Sequence, residues 1–213
     1  HADPELEAQL EACFAVTEAL GMKAFIDDRY EADDIIGTLI AKFAKKDCDF
    51  VVVSGDKDLA QLVNKRTLLW DYAKDRRFDA KAVREHFGVK PEQIVDLLAL
   101  QGDAVDNIPG VKGIGAKTAV ALLEKFPSLA ALYAKLAHVE MMDIRGAAAL
   151  RAKLEAGRES AFLSHRLATI ATDAPCKVTW KELQYRGADR ARVTALFDEL
   201  GFGRIRERIA KWQ

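Results

Sequence analysis

The sequence predicts an α/β core followed by a helical region. Over the first ninety residues, short β-branched runs alternate with stretches of helical periodicity, the pattern of strands alternating with helices in a parallel sheet. After Pro91 the strand signal ends and helix signals continue to residue 201. Half of the 213 residues are apolar, enough for one compact domain or two small ones sharing a border.

Taken in order, residues 4–20 read as a helix, with Asp3 as N-cap and Pro4 at the first helical position. "KAFID" at 23–27 reads as a short strand. "ADDIIGTLIAKFAKK" puts Ile36, Leu39, Ile40 and Phe43 on one helical face. "DFVVVSGD" lacks polar alternation and predicts a strand buried on both faces. "TLLWDY" reads as a strand, and "DAKAVREHFG" as a helix capped by Asp79 and stopped by Gly88. "PEQIVDLLALQ", "AKTAVALLEKF", "LAALYAKL", "RGAAALRAKLEAG", "ESAFLSHRLATI" and "DRARVTALFDELG" are all helical. The expected division is therefore an α/β part over 1–90 and a helical part over 91–213.

No apolar run reaches the length of a membrane span, and no signal-peptide pattern opens the chain, so no membrane partner is expected. Cys13, Cys48 and Cys176 are scattered and odd in number, which suits reduced thiols in the cytoplasm. Net charge is −1 but unevenly spread: from residue 145 onward 14 Lys and Arg face 8 Asp and Glu, against 18 and 25 before it. An acidic part that gathers cations beside a basic part that meets polyanions fits this balance, as does ordinary surface variation. The first residue is His1, and a preceding segment of the same protein is expected.

Seven acids carry the chemistry. Glu31, Asp33 and Asp34 lie where a loop enters a helix; the helix dipole explains one such acid, but three within four residues repel unless a cation separates them. Asp56 and Asp58 follow the carboxyl end of a strand, where open α/β sheets bind ligands, although strand-ending turns also favour Asp. Asp103 and Asp106 add a third pair in a turn after a helix. No His or Cys joins the set, and an all-oxygen donor set points to Mg²⁺ or Mn²⁺ instead of zinc.

"PGVKGIGAKTAVALL" places Gly113 and Gly115 just before a helix starting near Ala116, where glycines permit positive φ and leave backbone N–H groups open to phosphate. Lys112 and Lys117 lie beside them. The lysine spacing is wrong for a Walker loop, and a helix precedes the segment where a dinucleotide fold needs a strand. Helix, glycine hairpin, helix is a form that grips a DNA backbone without reading sequence. A plain turn between packed helices is the alternative.

"YEADDIIGTLIAKF", "VVVSGDKDLAQLV" and "LLALQGDAVDNIPGVKGIGAKTAVALLEKF", in this order and spacing, resemble the 5′-nuclease family: the 5′–3′ exonuclease domain of bacterial DNA polymerase I, its stand-alone relatives and flap endonucleases. "LSHRLATIATDAP" extends the similarity over nearly the whole chain. The resemblance implies a PIN-like parallel-sheet nuclease core and a helix-three-turn-helix DNA clamp at about 91–126. It implies two divalent ions, with Glu31, Asp33 and Asp34 serving the first, and Asp56, Asp58, Asp103 and Asp106 serving the second or its water shell. It also implies K⁺ held by main-chain oxygens of Leu100, Gln101, Pro109, Val111 and Ile114. The substrate would be DNA with a 5′ end or 5′ flap beside duplex, cut by a monomer. Members of this family begin with a strand and a basic helical arch for which this sequence has no counterpart. A non-catalytic branched-DNA-binding module is the competing expectation, and a phosphatase on an α/β core a third.

Overall fold

The computed structural model describes residues 4–143 and 146–213; Asp3 and Arg145 lie outside the described residues. The chain forms two compact units, Ile36–Thr172 and, from two separated segments, His1–Ile35 with Asp173–Gln213.

In the first unit, strand β1 (Phe50–Val53) pairs in parallel with β2 (Thr67–Asp71), Phe50 opposite Thr67 and Val53 opposite Trp70. Strand β3 (Arg76–Phe78) then pairs antiparallel with β2, so the sheet is mixed where a parallel one was expected. The cause is the connection after Asp71. Four residues are too few for a parallel crossover and suffice only for a hairpin. Asp75 closes that hairpin in the left-handed region (φ 48°), and its carboxylate accepts from the Trp70 indole N–H at 3.3 Å. β1 is also buried on one face only: Val52 is in the core, while Val51 and Val53 are more than half exposed. The expected strand at 23–27 does not form. Pairing is what makes an extended segment a strand, and Ile26, which would anchor it, is 73% exposed.

Helix α3 (Ala80–Phe87) has the expected ends: the Asp79 carboxylate accepts from Ala82 N–H, and Gly88 turns left-handed (φ 78°). Helix α4 (Ile94–Gln101) is apolar almost all round and correspondingly buried, with Ile94, Leu97, Leu98, Ala99 and Leu100 in the core. It packs against α8 (Arg158–Ala168) and α5 (Ala116–Lys125). Helices α6 (Leu129–Ala134) and α7 (Ala147–Ala156) complete this core through Leu129, Leu132, Leu150 and Leu154. The buried Gln93 amide donates to the carbonyl of Leu123 at 2.9 Å, tying the start of α4 to the end of α5. Helix α2 (Ala32–Phe43) contributes Ile36 and Ile40 to the same core.

The second unit joins α1 (Pro4–Ala19) to α9 (Arg190–Glu199). Its small core is Ala19, Ala188, Val193 and Phe197, ringed by Val16, Leu20, Leu196, Ile209 and Trp212. Among the described residues no helix is long and apolar enough to cross a membrane.

Candidate metal centre and backbone clamp

The site is built from two turns of the Ile36–Thr172 unit. Where β1 ends, Ser54 N–H still pairs with Trp70 O, and the chain then folds on its own side chains. Asp56 N–H donates to Ser54 Oγ at 3.1 Å, and the Asp56 carboxylate accepts from Asp58 N–H at 2.9 Å. This launches a 3₁₀ turn, Asp58–Leu62, anchored by the buried Leu59 and Ala60. Gln61 locks the turn from behind: its amide donates to Asp58 O and Ala168 O, each at 3.0 Å, and its oxygen accepts from Ile170 N–H.

The second turn follows α4. Gly102 (φ 75°) breaks the helix, and Asp103 and Ile108 then exchange both backbone hydrogen bonds at 2.8 Å. That bridge buries Asp103, whose Oδ1 accepts from Val105 N–H at 3.0 Å. Its Oδ2 is ion-paired with the Lys57 ammonium.

Together these turns bring single carboxylate oxygens of Asp58, Asp103 and Asp106 within 4.8 Å of one another. Asp58 Oδ1 is buried without a hydrogen-bond partner. Burial, reinforced by the charge of Asp56, pushes the Asp58 carboxyl up to about 6. Asp103 moves the other way: the hydrogen bond from Lys57 holds it below the usual carboxylate range, and Lys57 is raised in return. An oxygen-only donor set containing a buried, unpartnered carboxylate oxygen fits a hard divalent cation.

Asp56 does not join the three oxygens; its carboxylate holds the turn. Glu31, Asp33 and Asp34 belong to the other unit. Glu31 precedes α2, Asp33 and Asp34 lie in its first turn, and Asp34 Oδ2 accepts from Glu31 N–H at 3.2 Å. That bond is half of a capping box, so Asp34 has a local role as well.

Beyond Ile108 the same loop becomes the glycine hairpin. A Cβ on Gly110 (φ 60°) would lie 2.2 Å from Gly102 N, so only glycine lets these strands of backbone touch. Helix α8 grips Gly110 from both sides: Ser164 Oγ accepts its N–H at 2.9 Å, and Ser160 Oγ donates to its carbonyl at 2.6 Å. Ile114 is buried, while Lys112, Gly113, Gly115 and Lys117 are exposed. Gly113 has the expected positive φ (81°), but Gly115 does not: at φ −103° it is an ordinary extended N-cap for α5. Among the described residues nothing lies within 4 Å of where its Cβ would stand, and as glycine it offers the α5 amides no side-chain cap. Of the carbonyls expected to hold K⁺, those of Leu100 and Val111 already accept from Val111 N–H and Ile114 N–H.

Sequence reasoning passed over Lys57, Lys153 and the Ser160–Ser164 pair. Lys57 was visible as the one cation inside "DKD". Lys153, whose ammonium is 3.5 Å from Gly113 O, and the two serines come from α7 and α8, 40, 50 and 54 residues from their partners in the hairpin. No local pattern marks them.

Two family models describe nearly the whole chain: "5′-3′ exonuclease, N-terminal resolvase-like domain" over residues 1–88, and "5′-3′ exonuclease, C-terminal SAM fold" over residues 89–191. The chain belongs to the 5′–3′ exonuclease family. Among curated relatives, the DNA polymerase I of Pseudomonas aeruginosa is 46% identical over 199 residues, 93% of the chain and 22% of that protein. The 5′-3′ exonuclease of Buchnera aphidicola subsp. Schizaphis graminum is 36% identical, covering 84% of this chain and 62% of its own. The chain thus spans less than a quarter of the polymerase I relatives from P. aeruginosa and Bacillus subtilis. In fold it is similar to a zinc-bound T5 5′-exonuclease structure, with a TM-score of 0.64 at 22% identity, over 93% of this chain and 72% of that one.

Proposed function

We propose that this chain is the metal- and duplex-binding portion of a nuclease that hydrolyses DNA phosphodiesters at a 5′ end or 5′ flap beside duplex. One observation carries the reading. A carboxylate trio with a buried, unpartnered Asp58 oxygen is followed, within ten residues of Asp103, by a hairpin that exposes backbone amides. Asp58, Asp103 and Asp106 hold a divalent cation, Mg²⁺ or Mn²⁺, and Asp56 shapes the turn that presents Asp58. Bound there, such an ion supplies Lewis acidity, lowering the pKa of water and offsetting charge on phosphate. Glu31, Asp33 and Asp34 serve a second ion, as the family motif implies, within a PIN-like core over residues 1–90.

The clamp lies in the helical part over 91–213. The backbone N–H groups of Gly113, Gly115 and the start of α5 hold a duplex phosphate, and Lys112 and Lys117 add charge without reading bases. K⁺ on the carbonyls of Leu100, Gln101, Pro109, Val111 and Ile114 would stiffen the same hairpin. The test is cleavage of a 5′-flap DNA by the full protein with Mg²⁺, set beside a small phosphate monoester. Cleavage of the flap alone is expected; hydrolysis of the ester alone would make it a phosphatase, and binding without cleavage a branched-DNA-binding module.

A further inference from the structure

Lys57 plays no part in the function proposed for the three acids, yet it lies against one of them. It sits between Asp56 and Asp58 in the sequence, and its ammonium is paired with Asp103 Oδ2. The Asp103 side chain is 7% exposed, so the pair closes off the cluster's most buried acid, while the Lys57 side chain, 41% exposed, has room to swing away. Asp103 Oδ1 is already committed to Val105 N–H, which leaves Oδ2 as the oxygen with which Asp103 can turn to a cation. An ammonium held on that oxygen and a divalent ion brought to it repel each other, so the two compete for the position.

We propose that Lys57 is a tethered competitor for the cation position formed by Asp58, Asp103 and Asp106. This inference rests on the metal reading of those three acids. Physically, a positive charge held among three carboxylates offsets their repulsion while no metal is bound. A site closed by its own ammonium for most of the time binds metal more weakly, in proportion to the fraction of time it is open. A tethered single charge also discriminates by valence, since a monovalent ion gains little by replacing another single charge. The device therefore sets a threshold of divalent ion below which the cluster stays closed.

The test is Mn²⁺ binding to the full protein without DNA, followed by the electron paramagnetic resonance of the free ion. Removing the competitor in Lys57→Met should tighten the Mn²⁺ Kd by roughly three- to tenfold. Lys57→Gln should do the same, guarding against a packing effect of methionine. Lys57→Arg, which keeps the charge, should leave the Kd near or above the wild-type value. Lys65→Met removes an exposed charge elsewhere and should move the Kd by less than about twofold, which separates direct competition from general attraction. If Lys57→Met and Lys57→Gln bind Mn²⁺ no more tightly than wild type, while Asp103→Asn still loses a Mn²⁺ ion, this proposal fails and the metal reading stands. If Asp103→Asn binds as many Mn²⁺ ions as wild type, with equal Kd, the metal reading fails and this proposal with it.

Discussion

The chain carries two acidic clusters made in different ways. Glu31, Asp33 and Asp34 are neighbours in sequence at the start of α2, and part of their presence has a local cause, since Asp34 accepts from Glu31 N–H and acids suit a helix N-terminus. Asp58, Asp103 and Asp106 come from turns more than forty residues apart, and the fold brings them together against their mutual repulsion. No helix dipole explains that trio. It contains an oxygen with no hydrogen bond, a carboxyl pushed up to about 6 and an acid paired with an ammonium. The lesson is that adjacency in sequence is weak evidence of a cation, because local structure can account for it. Assembly by tertiary structure has no such cover.

Substitutions sharpen this contrast. The largest effect should come from Asp58→Asn or Asp103→Asn, which remove a carboxylate charge from the assembled trio. Flap cleavage should fall by on the order of a hundredfold or more, with duplex affinity within about twofold, since several kcal/mol of metal assistance are lost but the clamp is not. Asp34→Asn keeps most of the cap, so melting should barely move, and any large loss of cleavage would give that cluster the same standing as the trio. Wild-type cleavage in both trio mutants would break the comparison.

Next is the hairpin, where side chains matter less than backbone. Ser164→Ala strands the buried Gly110 N–H and should cost about 1–3 kcal/mol of unfolding free energy, read by denaturant titration. Gly115→Val should leave stability nearly unchanged, because its φ is ordinary and the space around it is open. Its effect should appear in binding alone, weakening every duplex sequence alike. A loss of stability equal to that of Gly113→Val, which forces a β-branched residue to φ 81°, would deny the distinction between the two glycines.

Acidity separates the clusters again. The folded-state value of Asp58 lies above its ordinary 3.8, so folding favours its protonated form. Its contribution to stability is fully present below about pH 4 and is lost as pH rises through about 6. A divalent cation needs the ionised form, so Mn²⁺ affinity should weaken as pH falls below about 6, and the Mn²⁺-induced rise in Tm should be larger at about pH 7.5 than at about pH 5. A flat profile would mean that Asp58 is not a ligand. The smallest effect is Lys117→Ala, which should reduce the slope of log affinity against log salt by roughly 1, as for one lost phosphate contact.

Much of this was legible in the sequence, and the gaps share a cause. Helices with a strong apolar stripe or a side-chain cap were readable, as at Asp79 and Gly88, because the information is local. The acids and glycines of the site were readable as types. The sheet was less so: β3 is three residues long with two arginines, and whether "KAFID" or "FVVV" gains neighbours depends on pairing that no short window contains. Gly113 and Gly115 were alike in sequence, yet only Gly113 takes positive φ, because glycine is permitted, not obliged, to do so. Ser160, Ser164 and Lys153 were missed because they act across 40 to 54 residues of chain, through helices whose periodicity announces only their packing.

The unit formed from both segments has a consequence for synthesis. Ala19 O is bonded by Asp189 N–H, and Ala188 bridges to Trp212, so α1 waits for residues that emerge almost two hundred positions later. The residues of the intervening unit are all available by Thr172. At ordinary elongation rates the last forty or so positions take about 2–8 s. During that interval α1 lacks its α9 partner, and Leu6 and Leu10 remain half exposed even when folding is done. A ribosome-stalling series should therefore find protease protection over 36–172 before α1 is protected, with the second step arriving only once Trp212 has cleared the exit tunnel.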